Sequence, residues 1–511
     1  MIRVTLLVAF ALGCGTPAPA PEPAVQVVGE TTKLRADEPL PRESAIFDGR
    51  TVSLRAARGE TLGVQVLLRD PGPHAVSLEL PGATVQGFEV GYLDVAEPSS
   101  AMFGPSRGRG RYPDRLQPVA GPVPATRAAF FDIIIDRSAT PGDLGGTLQV
   151  DQQRYPVVLR IEPVTIELGP DPLVWVWYKP AELAAAHGLA DDDSPAELTR
   201  ERAYIDLFRA HGAYLANDPS PARFAARRAL LDPSVRYWPV WVDKRDPARM
   251  AADVQAWLRI LDSMELAAPP VLFTIPLDEP RSEQARAQVR ANGVAFAAAG
   301  GGWPRLLHAV TDRYRASYAD AVDLFISPHA VPPPADARRP DGKPLRFWTY
   351  NGRPPQAGSM IIDTDGAALR SWGWIAHRYD VELWYVWEGL YFTDRYNGAK
   401  APTELSQSAL TFDERRRGGQ DWGHGDGLLV YPGPVPTLRL KALRRGLQDR
   451  VMLRRLAACG AGDRAAAITR TMVPRALAEA DGGRTWPISE PAWEQARGAL
   501  LDALRTECPD D

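Results

Sequence analysis

Sulfur and imidazole are scarce in this chain. Its 511 residues include three cysteines and seven histidines. No CxxC or HExxH spacing occurs, and His308, His329, His377 and His424 are scattered. A metal site is therefore not expected. No GxGxxG or P-loop follows any apolar segment, so a nucleotide fold has no support and no cofactor is expected. A surplus of positive charge is missing as well, since the formal net charge is -4 and the pI about 6.1. That balance leaves no electrostatic footprint for nucleic acid as a partner.

The N-terminus carries targeting information. Arg3 forms a short positive region and residues 4–12 a short apolar one. The apolar run is too short to span a membrane and reads as a signal peptide over residues 1–13. Residues 11–14, ALGC, look like a bacterial lipoprotein cleavage box, with Cys14 as the acylated first residue. An ordinary signal peptide that happens to hold a cysteine is the blander reading. Residues 14–25 are rich in Pro and Ala and read as an extended tether. The chain is expected to be extracytoplasmic, with its membrane partner reached through a lipid at Cys14. Gly15 is not the aspartate that favours inner-membrane retention, so the outer membrane or cell surface is expected. Cys459 and Cys508 then remain. In an oxidising compartment a bridge between them would close a loop of about 50 residues and contribute about 4 kcal/mol. Two separate buried thiols are the other reading.

The length predicts two or three domains. Residues 26–165 read as a β-sandwich: Leu62, Val64, Val66 and Leu68 alternate with other residues, as do Phe131, Ile133 and Ile135, and Pro/Gly turns punctuate the runs. Residues 104–124, rich in Arg, Gly and Pro, are expected to be a long exposed loop. Residues 166–445 alternate strands with helices and read as a β/α, TIM-like barrel. Ser194, Pro195 and Glu197 start one helix, and Asp246-Pro247 starts another with Met250, Val254, Trp257 and Leu261 on one face. Residues 446–511 read as a C-terminal helical region. The fold class is multidomain α+β.

The chemistry concentrates at residues 270–280, PVLFTIPLDEP. An apolar run the length of one buried strand ends in Asp278, Glu279 and Pro280. Asp37-Glu38-Pro39 and Asp413-Glu414 repeat the acidic pair, but in polar surroundings. Strand C-terminal ends are where barrel enzymes place their catalytic groups. Two carboxylates there point to glycosidic bond cleavage, a strand-end turn being the bland alternative. Neighbouring carboxylates resist joint ionisation, so one can stay protonated as a general acid must. Pro280 should bias Glu279 towards an extended conformation. So short a separation disfavours inversion through an intervening water. It suits substrate-assisted cleavage, in which the 2-acetamido oxygen of the sugar attacks the anomeric carbon. Glu388 also ends an apolar strand, so a Glu279/Glu388 retaining pair is an alternative. A glycan-binding protein without turnover is another. Tyr178, Asp243, His308, Asp312, His329, Tyr350, Trp384, Trp387, Glu388 and Asp394 are candidates for a polar, aromatic cup around a glycan. The 14 tryptophans fit that cup or, equally, a large core.

Residues 425–433 (GDGLLVYPG), 436–440 (PTLRL) and 443–449 (LRRGLQD) together resemble the C-terminal signature of glycoside hydrolase family 123, a group that includes the related domain of unknown function 4091. The resemblance implies a sandwich, a barrel and a helical tail, and hydrolysis of a β-N-acetylgalactosaminide-like bond. It implies that Asp278 steadies the acetamido group and that Glu279 is the general acid/base. Arg439 and Arg444 of the signature are expected in ion pairs. Arg445 and Arg450 depart from the family pattern, where an acidic and an aromatic residue are expected.

Overall fold

The computed structural model describes residues 22–169, 172–266, 268–392 and 410–508. Cys14 and Asp394 lie outside them, as do the signal peptide and most of the tether.

Ten strands come first: β1 (Val25–Gly29), β2 (Val52–Arg58), β3 (Thr61–Leu68), β4 (His74–Glu79), β5 (Thr84–Val95), β6 (Gly110–Val119), β7 (Val123–Ala125), β8 (Ala128–Ile134), β9 (Gly142–Val150) and β10 (Gln153–Thr165). They form two five-stranded sheets, ordered β1-β3-β8-β5-β6 and β2-β10-β9-β4-β7. Val27, Val64, Val66, Phe131 and Ile133 of the first sheet meet Leu54, Val76, Leu148 and Leu159 of the second in one core. Alternation places Val28, Leu67, Phe88 and Phe130 on the opposite face of the first sheet, where they pack with Leu438. That sheet is therefore buried on both sides.

Residues 104–124 are not one long loop. Their central part is β6, an edge strand paired with β5, and it buries Tyr112, Asp114 and Leu116. The Pro content hides this in the sequence. Pro113 and Pro118 are tolerated because an edge strand has one side without ladder bonds.

Eight parallel strands follow: β11 (Val174–Trp177), β12 (Ala213–Ala216), β13 (Tyr237–Pro239), β14 (Val271–Leu277), β15 (Leu306–Val310), β16 (Leu324–Ile326), β17 (Arg346–Tyr350) and β18 (Trp384–Val386). They wrap in chain order, and β18 pairs with β11. Only β12 and β13 lack a pairing between neighbours, so the barrel is nearly closed with one seam. The helices are α1 (Pro180–Ala186), α2 (Pro195–Ala210), α3 (Phe224–Arg227), α4 (Pro247–Asp262), α5 (Glu283–Ala298), α6 (Ser371–Arg378), α7 (Leu438–Leu456), α8 (Gly462–Met472) and α9 (Glu490–Glu507). Ser194, Asp246 and Ser282 accept backbone N–H bonds at the starts of α2, α4 and α5. No long helix follows β15 or β16 among the described residues; a 3-10 turn at Ala316–Tyr318 and a loop take their place.

The expected boundary at 445/446 falls inside α7, which is one continuous helix between the sandwich and the barrel. It is buried almost all round, including Arg439, Lys441, Arg444 and Arg445. These cations meet buried carboxylates of the sandwich: Arg439 with Asp114, Lys441 and Arg444 with Asp132, and Arg445 with Glu60. A helix patterned with charge on every face reads as surface in the sequence. Here these four cations have their partners waiting on the neighbouring sandwich. Gly446 lets α6 cross α7 closely, since a Cβ there would lie 2.3 Å from the Arg370 carbonyl oxygen. Cys459, just after α7, is bonded to Cys508 at the end of α9.

Candidate active site

The C-terminal ends of the barrel strands enclose a cavity of about 280 Å³. Trp177 comes from the end of β11, Asp218 from the loop after β12, and Asp278 from the end of β14. Tyr350 ends β17, and Tyr385 and Trp387 come from β18 and the residues after it. The rings of Tyr350 and Tyr385 stack at 5.8 Å, and Tyr385 stacks in turn on the core residue Trp175 at 5.9 Å. The cavity wall is thus continuous with the barrel core.

Thr311, one residue past β15, orders the acidic end of β14. Its hydroxyl donates to Oδ1 of Asp278 at 2.5 Å and accepts from the backbone N–H of Glu279 at 2.6 Å. The Asp278 side chain is open to solvent at the cavity mouth, yet protein crowds its inner side. That desolvation raises its pKa against the lowering effect of the Thr311 bond, and the neighbouring Glu279 adds to the rise. Burial likewise raises the pKa of Asp218, although the indole N–H of Trp177 donates to it at 2.7 Å. The charge of Lys244 lies near enough to lower both carboxyls somewhat. Burial, reinforced by Asp278, holds the Tyr350 and Tyr385 hydroxyls well above their ordinary pKa, so both are neutral donors at pH 7.

Glu279 takes a different direction from the expected one. Its φ is 40°, in the left-handed region, not extended. The preceding-proline restriction is overridden by the bond from its N–H to Thr311. Its carboxylate accepts from exposed Arg281 at 2.5 Å and does not line the cavity.

The other candidates separate. Tyr350 and Trp387 line the cavity with Asp278. Tyr178 is buried elsewhere, its hydroxyl donating to Glu201 beside Arg227. Asp243 pairs with Arg245 at 2.6 Å. His308 faces α5, with Nδ1 on the Ala321 carbonyl oxygen at 2.7 Å and its ring near Phe296. Asp312 is bound to Arg315 and to the Tyr318 hydroxyl. His329 lines a separate, arginine-rich depression with Arg286 and Arg313. Trp384 is core, stacked on Trp372 at 4.4 Å. Glu388 is fully buried, and its Oε1 accepts from the N–H groups of Gly389 and Leu390 at 3.1 and 3.0 Å. Tyr178, Asp243, His308, Asp312 and Glu388 each found a local partner and turned from the cavity. The repeated acidic pairs do the same, Glu38 with Arg35 and Arg107, and Asp413 with Arg415.

Asp218 is the cavity carboxylate that the sequence reading does not single out. Its signal was present: the short apolar run of β12 ends in Asn217-Asp218-Pro219, much as β14 ends in Asp278-Glu279-Pro280. The GDG signature acts on the same wall. Asp426 hydrogen bonds the Trp387 side chain, and its pKa is pushed up by burial to about 7. At Gly427, with φ +74°, a Cβ would lie 2.7 Å from the Trp387 ring. Among the described residues one acidic group has cation-like spacing, Asp191, Asp193 and Glu197. Arg223 pairs with Asp191 and Asp193, and Arg227 with Asp193, so guanidinium groups already neutralise it.

Residues 291–456 match the family model described as glycoside hydrolase 123, catalytic domain. The protein is a glycosidase, an enzyme that hydrolyses glycosidic bonds, and a glycan substrate is consistent with that. Within that class it is glycoside hydrolase 123-like. The matched segment runs from within α5 to the end of α7 and so begins beyond Asp278 and Glu279. A family 123 glycoside hydrolase from Clostridium perfringens superposes with a TM-score of 0.62 at 11% identity, over 94% of this chain and 98% of that one. At that identity the likeness shows the shared fold. A family two carbohydrate esterase from Cellvibrio japonicus overlaps 59% of this chain and 89% of that one at 11% identity; its TM-score of 0.18 carries no argument. No curated protein matches the chain.

Proposed function

We propose that the protein hydrolyses a terminal 2-acetamido sugar, of the β-N-acetylgalactosaminide type, by substrate-assisted catalysis with retention. The observation that carries this reading is Asp278, held by Thr311 at the wall of an aromatic cavity and directly followed by Glu279. Neighbouring residues that both turn to one sugar would sit too close for the water of an inverting mechanism. The Clostridium perfringens relative, a family 123 enzyme of glycolipid glycan hydrolysis, supports a glycan as the substrate.

In the first step the acetamido oxygen attacks C1 and the bond from C1 to the leaving oxygen breaks. Glu279 delivers a proton to that oxygen. Asp278 accepts the acetamido N–H and offsets the positive charge that develops on the ring so formed. Water then attacks C1, Glu279 takes its proton, and the acetamido group is restored. For this role Glu279 must leave Arg281. That pair is exposed, and such pairs contribute only about 0–1 kcal/mol, so the turn costs little. Asp218 and the two tyrosine hydroxyls are then placed for sugar hydroxyls. A second reading makes Asp218 the proton donor, because it is the other carboxyl group lining the cavity. A Glu279/Glu388 pair is disfavoured by the complete burial of Glu388. We further propose, from the N-terminal motif alone, that Cys14 anchors the chain extracytoplasmically.

The test is hydrolysis of chromogenic β-GalNAc, β-GlcNAc and β-Gal glycosides. Asp278→Asn should lose about 10²–10⁴-fold on the acetamido sugars. Glu279→Gln should lose most on poor leaving groups, and Asp218→Asn should mainly raise KM. Equal rates with and without the acetamido group would sink the assisted mechanism. Loss on poor leaving groups in Asp218→Asn instead would move the proton donor there.

A further inference from the structure

The loops that follow β11, β12 and β13 shape a further hollow beside the cavity. This second depression, of about 370 Å³, shares Trp177 and Asp218 with the first. These two residues are hydrogen-bonded to each other and form an edge common to both depressions, polar at Asp218 and aromatic at Trp177. On the far side stand Trp241, Asn217 and Lys179.

Trp241 is the exposed tryptophan of the described residues, at 38% of its surface, whereas Trp175, Trp257, Trp348 and Trp384 are fully buried. Its backbone is pinned on both sides: the N–H donates to the Pro219 carbonyl oxygen at 3.0 Å, and its own carbonyl oxygen accepts from the Trp257 indole at 3.0 Å. A rigid main chain therefore presents a flat aromatic face to water at the edge of a cavity. An indole presented in this way combines a large contact face with little conformational entropy to lose on binding.

We propose that the Trp241 depression is a second sugar subsite, continuous with the cavity, which stacks a hexopyranose ring linked to the one beside Asp278. Asp218 accepts a hydroxyl of that ring, and Asn217 and Lys179 donate to others. The proposal rests on the glycosidase reading for its ligand, and it makes the preferred substrate an oligosaccharide of at least two rings.

The test compares affinities by calorimetry in wild type, Trp241→Ala and Trp241→Phe, each checked for folding by circular dichroism. The probes are the methyl glycoside of N-acetylgalactosamine and two disaccharides that extend it on the reducing or the non-reducing side. One disaccharide should bind wild type at least tenfold more tightly than the methyl glycoside, and which one does sets the direction of the chain. Trp241→Ala should lose that ratio, and Trp241→Phe should keep most of it. No gain from either disaccharide in wild type, or an unchanged ratio in Trp241→Ala, overturns the subsite. If the ratio behaves as expected but wild type cleaves neither disaccharide, the subsite stands and the hydrolase mechanism falls.

Discussion

Thr311 and Asp278 are joined across neighbouring barrel strands by a 2.5 Å hydrogen bond from hydroxyl to carboxylate, and the same hydroxyl accepts from the backbone of Glu279. One side chain thus sets the direction of both acidic residues. A bond to a charged acceptor is worth about 1.5–3 kcal/mol.

Replacing Thr311 with Val keeps the shape and removes that bond. kcat/KM should fall roughly ten- to hundredfold. The bond favours ionised Asp278, so its loss raises the Asp278 pKa further. The acidic limb of the pH–rate profile should move to higher pH. An unmoved limb would show that Asp278 ionisation does not govern the rate.

Arg439 holds Asp114 with two bonds, Nε to Oδ1 at 2.8 Å and Nη2 to Oδ2 at 2.9 Å, and both residues are buried. This pair ties the signature helix α7 to the sandwich. Arg439→Met leaves the Asp114 carboxylate with the Tyr431 hydroxyl. Breaking a buried pair in this way costs about 3–5 kcal/mol, to be read from the urea midpoint. A loss under about 1 kcal/mol would mean that the pair does not join the two units.

Glu490 begins α9, where the N–H of Gly29 donates to it at 2.6 Å. Burial raises its pKa to about 7, and like-charged Glu494 contributes. A folded pKa above the ordinary carboxylate value means that its stabilising contribution is complete below about pH 4.5 and is lost as pH rises through 7. Glu490→Gln should therefore reduce the loss of stability between pH 5 and pH 8 by roughly 1–3 kcal/mol. Thermal unfolding at the two pH values measures it. Glu494 has the opposite sign: burial would raise it, but Arg370, Arg445 and Arg497 outweigh burial and hold it at about 2. Its contribution is present above the ordinary carboxylate range and fades only as pH falls towards 2.

The Cys459–Cys508 bridge closes a separation of 49 residues around α8 and α9. Replacing both cysteines with Ser should cost about 4 kcal/mol in the chain-entropy model. The same shift in wild type on adding reductant, absent from the double variant, would confirm its origin.

Much of the architecture was legible in residue order. Alternation in β3 and β8, the caps at Ser194 and Asp246, and the buried face of α4 are local properties, fixed within a few residues. The strand ending at Asp278 stood out for the same reason. β12 was not legible, because two of its four residues are alanine and it lacks a β-branched residue, and Asp218 went unseen with it. β6 was hidden by its prolines, which only its place at a sheet edge makes acceptable.

By itself the sequence determined most of the strands and helices, the order of the sandwich, barrel and helical parts, and the position of one acidic pair at a strand end. Tertiary structure alone decided which strand-end residues share a cavity. A polar side chain at a strand end goes to the nearest partner that satisfies it, and those partners come from other strands and loops. Tyr178 went to Glu201 and Arg227, Glu388 to its own following N–H groups, and Glu279 to Arg281. Asp278 remained at the cavity because Thr311, on the adjacent strand's loop, holds it there.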